Sequence, residues 1–313
     1  MNEIDQLRAR VAWLYYLENF TQAEIGEKLG LTRARVNRIL GEARESGLVR
    51  ISLESQFATC TALEQALKNK YVRDAVIVPS PADQKDVAGV IGMAAGAYLT
   101  RFLAESRIST IGIGWGATLR ETIRHVATAD YPNLWITSMM GGLSRGLELN
   151  TFEIAGELAR RLNAQCSYLA APIYAATPRS RDTILAQDVY AEVLARIEKI
   201  ELALLSMGDL TQRSLLVRHG LPGDVSPDDL RKAGAVGDVL AQFIDEQGKP
   251  IGDAINKRAI AMPLSRLSKV KTVMLIAGGL NKAPVIAAAL RARIGNVLVS
   301  DEKTAEKVLQ LLA

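Results

Sequence analysis

Histidine and cysteine are scarce in this chain of 313 residues, with two of each. His125 and His219 lie far apart and neither falls at the end of an expected strand, so no Ser-His-Asp arrangement and no metal cluster can be assembled around them. Cys60 and Cys166 show no metal-ligand spacing and read as two reduced thiols without a disulfide framework. No cofactor and no metal are expected. No run of eighteen apolar residues occurs, so no membrane partner is expected. The start, MNEIDQLRAR, alternates acid and base where a signal peptide would be apolar, which points to a cytoplasmic protein. Charge of one sign is missing as well: 38 Lys and Arg against 34 Asp and Glu leave a formal charge of +4, too little by itself to suggest nucleic acid. Neither a Gly-Lys-Ser/Thr phosphate loop nor a full G-x-G-x-x-G is present, so a nucleotide is not favoured.

What is present is globular: 49% hydrophobic and 23% charged residues, in a chain long enough for two domains and a sizeable core. The stretch Thr21 to Ile39, TQAEIGEKLGLTRARVNRI, spells two short helices and a tight turn. Thr21 with Glu24 makes a capping box, Gly30 supplies the left-handed stop, and Thr32 caps the second helix. Small Gly26 is expected where the two helices cross. Val36, Ile39 and Leu40 recur at helical spacing on the inner side, which leaves Thr32, Arg33, Arg35, Asn37 and Arg38 facing outward, with Gln22 at the start of the first helix. Arg can bond guanine with two donors, Asn can bond adenine likewise, and Thr can reach a phosphate or a thymine methyl. A helix-turn-helix that reads a major groove follows, the plain alternative being a helical hairpin with a solvated basic face. Between Arg33 and Arg50 five arginines meet only Glu42 and Glu45, a footprint small enough to predict binding as an oligomer.

Before the motif, Leu7, Val11, Leu14 and Leu17 form one stripe of a covering helix, and Trp13, Tyr15 and Tyr16 read as its packing rather than as stacking platforms. After Gly47, Leu48 to Leu53 resembles the wing of a winged helix. The expected organisation is a DNA-binding domain over 1–54, a linker and connecting helix over 55–70, and a larger domain over 71–313. In that larger part, AVIVPS, STIGIGW, LWITSMM, SYLAAPIY, LALLSM, VMLIAGG and NVLVSD alternate with helical stretches such as Asp86 to Leu103, Thr183 to Ile197 and Ala283 to Arg291. This predicts a doubly wound, mostly parallel α/β sheet buried on both faces, with functional residues at the strands' C-terminal ends.

The strongest strand end is STIGIGWGATL, where a Gly114-Trp115-Gly116-Ala117-Thr118-Leu119 loop opens a helix. Free N–H groups at such a helix start suit an anion, and phosphate is the natural occupant; the alternative is a plain tight turn. Gly142, Asp209 and Gly279 follow other strands, and Lys282 lies just inside the next helix. Lys282 could neutralise the phosphate while Asp209 and Asp238 take sugar hydroxyls, although Asp209 could equally be a helix cap and Lys282 a solvated charge.

The helix-turn-helix followed by GIGWGATL, MGGL, MGDL, GAVGDVLAQFIDEQGKPI, IAGGLNKA and LVSDEKTA resembles the SorC family of bacterial transcription regulators over essentially the whole chain. The resemblance implies an effector domain of the ribose-phosphate isomerase and glucosamine-phosphate deaminase type. It implies a phosphorylated sugar or polyol as effector, operator DNA of a carbohydrate catabolism operon as partner, and a homo-oligomer, dimer or tetramer. By position it places the phosphate loop at Gly114 to Leu119 and further effector contacts near Gly142, Asp209, Asp238, Gly279 and Lys282, with Pro172, Tyr174, Arg179 and Arg181 less firmly matched. An isomerase-like domain brings an enzyme into view, with Asp209, Asp238 and Lys282 as the possible proton-transfer groups. A fused helix-turn-helix instead gives the sugar site a purpose without turnover. A DNA-organising protein without an effector is the third possibility, and the phosphate loop argues against it.

Overall fold

The computed structural model describes residues 3–49, 58–83, 86–143 and 150–313, and the chain divides into two compact units, Met1–Gln56 and Phe57–Ala313. The expected wing lies largely outside the described residues.

Among the described residues the first unit has three helices: α1 (Glu3–Tyr16), α2 (Gln22–Leu29) and α3 (Arg33–Glu45). They close over Val11, Ile25, Val36, Ile39 and Leu40, with Leu7, Leu14, Tyr15, Tyr16, Phe20, Leu29 and Leu31 packed around these. Both halves of the capping box are made: the Glu24 backbone N–H donates to Thr21 Oγ1 at 3.3 Å, and the Thr21 N–H donates to Glu24 Oε2 at 2.8 Å. Gly30 ends α2 at φ +64°. Gly26 lies against the turn and the start of α3, the Arg33 nitrogen standing 3.7 Å from its β-carbon position. A β-carbon there would lie 2.6 Å from the Leu31 carbonyl oxygen, so glycine is needed for the turn to fold back on α2.

In the second unit α4 (Ala58–Lys70), expected as a connecting helix, contributes Cys60 and Leu67 to the α/β core. Seven parallel strands then form one sheet: β1 (Asp74–Val78), β2 (Thr110–Ile113), β3 (Trp135–Ser138), β4 (Gln165–Ser167), β5 (Leu202–Leu205), β9 (Thr272–Ile276) and β10 (Val297–Asp301). Their order is β1-β10-β9-β5-β2-β3-β4, so the chain winds outward one way from β2 and the other way from β5. The helices are α5 (Val87–Glu105), α6 (Ala117–Arg124), α7 (Thr151–Leu162), α8 (Pro178–Leu185), α9 (Ala191–Ile197), α10 (Pro227–Lys232), α11 (Ala254–Arg258), α12 (Leu264–Leu267), α13 (Ala283–Arg291) and α14 (Glu302–Leu312). A second, antiparallel sheet of β6 (Met207–Gly208), β7 (Gly237–Val239) and β8 (Gln242–Ile244) stands beyond the end of β5.

Two expectations need correction. The run SYLAAPIY is not a strand: β4 stops at Ser167, and Pro172 and Tyr174 make only single bridges, to Gly142 and Ala259. The single helix expected over Thr183 to Ile197 is two, broken by a tight turn at Asp188–Tyr190. Among the described residues, helix α5, with 19 residues and a mean hydropathy of 1.5, is long and apolar enough by length and composition alone to cross a membrane. Its inward side is core, with Val87, Ile91, Ala95, Leu99 and Leu103 all buried.

Candidate functional site

The outward face of α3 is as the spacing predicts. Thr32, Arg33, Arg35, Asn37 and Arg38 are exposed, while Val36, Ile39 and Leu40 are buried. The Thr32 hydroxyl caps α3 by accepting from the Arg35 N–H at 3.3 Å. Gln22 Nε2 donates to Asn37 Oδ1 at 3.3 Å, so the first residue of α2 and the middle of α3 present one continuous polar surface. Arg8 orients Glu42 at 3.0 Å, and Glu42 in turn lies 3.7 Å from Arg38. Arg38 keeps 70% of its side chain exposed, which leaves it free to exchange that weak ion pair for a base or phosphate.

The second site forms where the sheet's winding reverses, between β2 and β5, the crevice at which open α/β sheets bind ligands. The Gly114 N–H is already spent on the Leu204 carbonyl at 3.0 Å, which ties the loop to β5. Trp115 is 8% exposed and Leu119 is fully buried, so their side chains belong to the core and only their main chain can face a ligand. Gly116 starts α6 at φ +118° without a side-chain cap, and the first intrahelical bond there is from the Arg120 N–H to the Gly116 carbonyl. The N–H groups of Ala117, Thr118 and Leu119 therefore have no helical acceptor, which is the geometry of an anion nest. Ser206, at the end of β5, lies 3.7 Å from where a β-carbon of Gly116 would be.

The β7–β8 hairpin covers this loop. Its turn residues Leu240 and Ala241 both adopt left-handed backbone, φ +52° and +59°, without being glycine or asparagine. Leu240 reaches within 3.4 Å of the β-carbon position of Gly114. The Ala241 N–H donates to Asp238 Oδ2 at 3.1 Å, and the Ala241 carbonyl accepts from the Tyr174 hydroxyl at 2.6 Å. Asp238 is buried and its other oxygen, Oδ1, has no partner. Burial pushes this carboxyl up from the ordinary 3.8 to about 7, the Ala241 N–H and Lys282 opposing the rise and Asp209 adding to it. The same burial lowers the Lys282 ammonium and, with Asp238 nearby, raises the Tyr174 phenol well above 10. Gly208 makes room for this carboxylate, since a β-carbon there would sit 2.1 Å from Asp238 Oδ1.

Asp209 Oδ1 accepts from the Thr211 N–H and Oδ2 from Asn281 Nδ2, both at 2.6 Å, so it fixes the Gly279–Lys282 loop. That loop is also held from below: the Gly279 N–H donates to Asp301 Oδ1 at 3.0 Å and to Thr304 Oγ1 at 2.8 Å. Gly114, Gly116, Ala117, Thr118, Asp209, Asp238, Gly279 and Lys282 thus join through a continuous chain of contacts. Gly142 does not: its N–H donates to the Ala171 carbonyl, and a β-carbon would strike Asn150 and Phe152. Arg179 is exposed and Arg181 bonds the Ala259 carbonyl and Asp182. Asn281, Ser206 and the anchors Asp301 and Thr304 were not expected from the sequence. The last two are legible as a cap signal, Asp three residues before Thr, at the start of α14.

Residues 55–310 match the family model described as "Putative sugar-binding domain", and residues 4–46 match "Sigma-70, region 4". The chain belongs to the SorC family of sugar-binding transcriptional regulators. Its SorC-family relatives include the transcriptional regulator LsrR of Escherichia coli strain K12, 30% identical over 310 residues and 96% of this chain and 94% of LsrR. The erythritol catabolism regulatory protein EryD of Brucella abortus is 25% identical over 97% of this chain and 96% of EryD. The crystal structure of the full-length sorbitol operon regulator SorC from Klebsiella pneumoniae superposes with a TM-score of 0.74 at 25% identity, covering 99% of this chain and all of that one. This SorC-family chain is thus a sugar-responsive transcriptional regulator.

Proposed function

We propose that residues 1–54 read operator DNA through Gln22, Thr32, Arg33, Arg35, Asn37 and Arg38. Residues 71–313 bind a phosphorylated sugar or sugar alcohol that controls that reading in a carbohydrate or polyol catabolism operon, with 55–70 as the connection. The observation that carries the effector half is the meeting of an uncapped helix start at Ala117–Leu119, a partly buried Lys282 and an unpartnered carboxylate oxygen on Asp238. A phosphate satisfies the first two, and a sugar hydroxyl donating to Asp238 Oδ1 satisfies the third. A buried acceptor without a donor is unfavourable by about 1–3 kcal/mol, so the site is poised to gain from such a hydroxyl. Relatives named for sorbitol and erythritol regulation support the polyol class and the catabolic setting. Oligomeric binding follows from the small basic face of one α3.

A thermal-shift panel of pentose, hexose and polyol phosphates beside their unphosphorylated forms tests this. At a hundredfold over Kd a true effector adds about 2.7 kcal/mol, and only phosphorylated members are expected to stabilise. Equal stabilisation by the unphosphorylated forms would remove the phosphate from the reading. The raised carboxyl of Asp238 is also what a proton-abstracting base would show, so steady isomerisation of any panel member would overturn the regulator-only reading.

A further inference from the structure

The outward side of helix α5 is left unused by the effector reading. On its outward side Asp86, Val90, Met93, Ala97 and Arg101 recur at intervals of three and four, which puts them on one face. Asp86, Met93, Ala97 and Arg101 are exposed and Val90 is half-buried, with Met93 46% exposed in the middle of the stripe. The face is acidic at its start, apolar over its centre and basic at its end. A two-fold axis passing between Met93 and Ala94 sets Val90 opposite Ala97 and Asp86 opposite Arg101, so the stripe is complementary to an antiparallel copy of itself. Small and flexible side chains at the centre let two such helices approach closely.

The inner side of the same helix carries both parts of the anion site. A β-carbon on Gly92 would lie 2.5 Å from Glu121 Cβ, and one on Gly96 would lie 2.7 Å from His125 Cβ, so α6 rests on α5 with no slack. The loop before Lys282 rests there too, since a β-carbon on Gly278 would meet Ile91 at 2.2 Å and Val87 at 3.2 Å. A ligand that draws the start of α6 and the Gly279–Lys282 loop together therefore pushes on the back of α5. Close-packed glycine contacts pass such a displacement on rather than absorb it.

We infer that the outward face of α5 docks on the same face of a second copy of this chain, and that this contact transmits effector binding between protomers. The inference rests on the oligomeric, effector-controlled reading given above. It is tested on the full chain. Met93→Glu is expected to halve the subunit number seen by sedimentation, and Met93→Cys to give a disulfide-linked dimer on oxidation, because the residue lies beside the axis. Asp86→Arg and Arg101→Glu each juxtapose like charges and are expected to weaken the dimer several-fold, while the double variant restores it. An unchanged subunit number in Met93→Glu, or single reversals that the double variant fails to rescue, overturns the inference. The thermal-shift panel, run on Met93→Glu, separates the two readings. Retained stabilisation by a sugar phosphate with an unchanged subunit number removes the α5 contact and leaves the effector site, whereas no stabilisation of the unsubstituted protein by any panel member removes the effector site and with it the transmission.

Discussion

Asp238 is the residue on which pH should act. Its carboxyl is raised by burial to about 7, so the folded chain holds a proton that the unfolded chain has released above about 4. Stability from this group is complete below pH 3.8 and is lost as pH rises through 7, by about 1.4 kcal/mol for each pH unit between those limits. Asp238→Asn is therefore expected to flatten the melting temperature between about pH 4 and 7, where the unsubstituted protein declines, and calorimetry across that range checks it. A bound sugar hydroxyl that donates to Oδ1 favours the charged form, so effector binding should release protons near pH 7, measurable as a buffer-dependent heat. At this scale the sequence was legible where chemistry is rare. Asp209, Asp238 and Lys282 stand out as charges beside glycines at strand ends. Trp115 and Leu119 were not legible, because a loop's sequence does not say which side chains turn inward. Tyr174 lay in a segment with no periodicity, and its link to Asp238 exists only through the fold.

Among elements, the start of α6 is the most exacting. Gly116 holds φ +118°, a conformation that L side chains rarely adopt. Gly116→Ala is expected to destabilise the protein by about 1–3 kcal/mol and to abolish stabilisation by sugar phosphates, seen together in one thermal-shift series. In the DNA-reading unit Thr21→Ala removes the hydroxyl half of the capping box, the acceptor for the Glu24 N–H, and should cost about 1 kcal/mol in the unfolding of that unit, followed by helix circular dichroism. The long periodic elements were readable from local signals: the caps of α2 and α3, the apolar runs of six of the seven parallel strands, and α13 to the residue. The small β6–β7–β8 sheet was not. Its strands have two or three residues, and its turn is Leu240–Ala241 where a hairpin of that kind usually announces itself with Asn or Gly. Leu and Ala in left-handed backbone are a tertiary imposition: both are buried, Leu240 against Gly114, and Ala241 is bonded through its main chain to Asp238 and Tyr174.

At the scale of the whole molecule, the two compact units predict two separable losses. Arg38→Ala should weaken operator binding roughly tenfold, about 1–3 kcal/mol for a good arginine–guanine pair, and leave sugar-phosphate stabilisation intact. Lys282→Ala should remove the stabilisation and leave operator affinity without effector unchanged. Gel-shift titrations beside the thermal-shift panel check both, and loss of both activities in either variant would contradict the separation.

The reversal of winding between β2 and β5 also has a meaning in time. Domains fold in the order they leave the ribosome, first segment first. The helices of the first unit end at Glu45, whereas the proposed effector cluster draws on Gly116, Asp238 and Lys282 and is braced by Asp301, much later in the chain. Each new copy is thus able to shape its helix-turn-helix long before the proposed effector cluster is assembled. An effector held at that proposed cluster gains purchase on a nascent chain only after Asp301 has been made, so response to it comes well after the helix-turn-helix is formed.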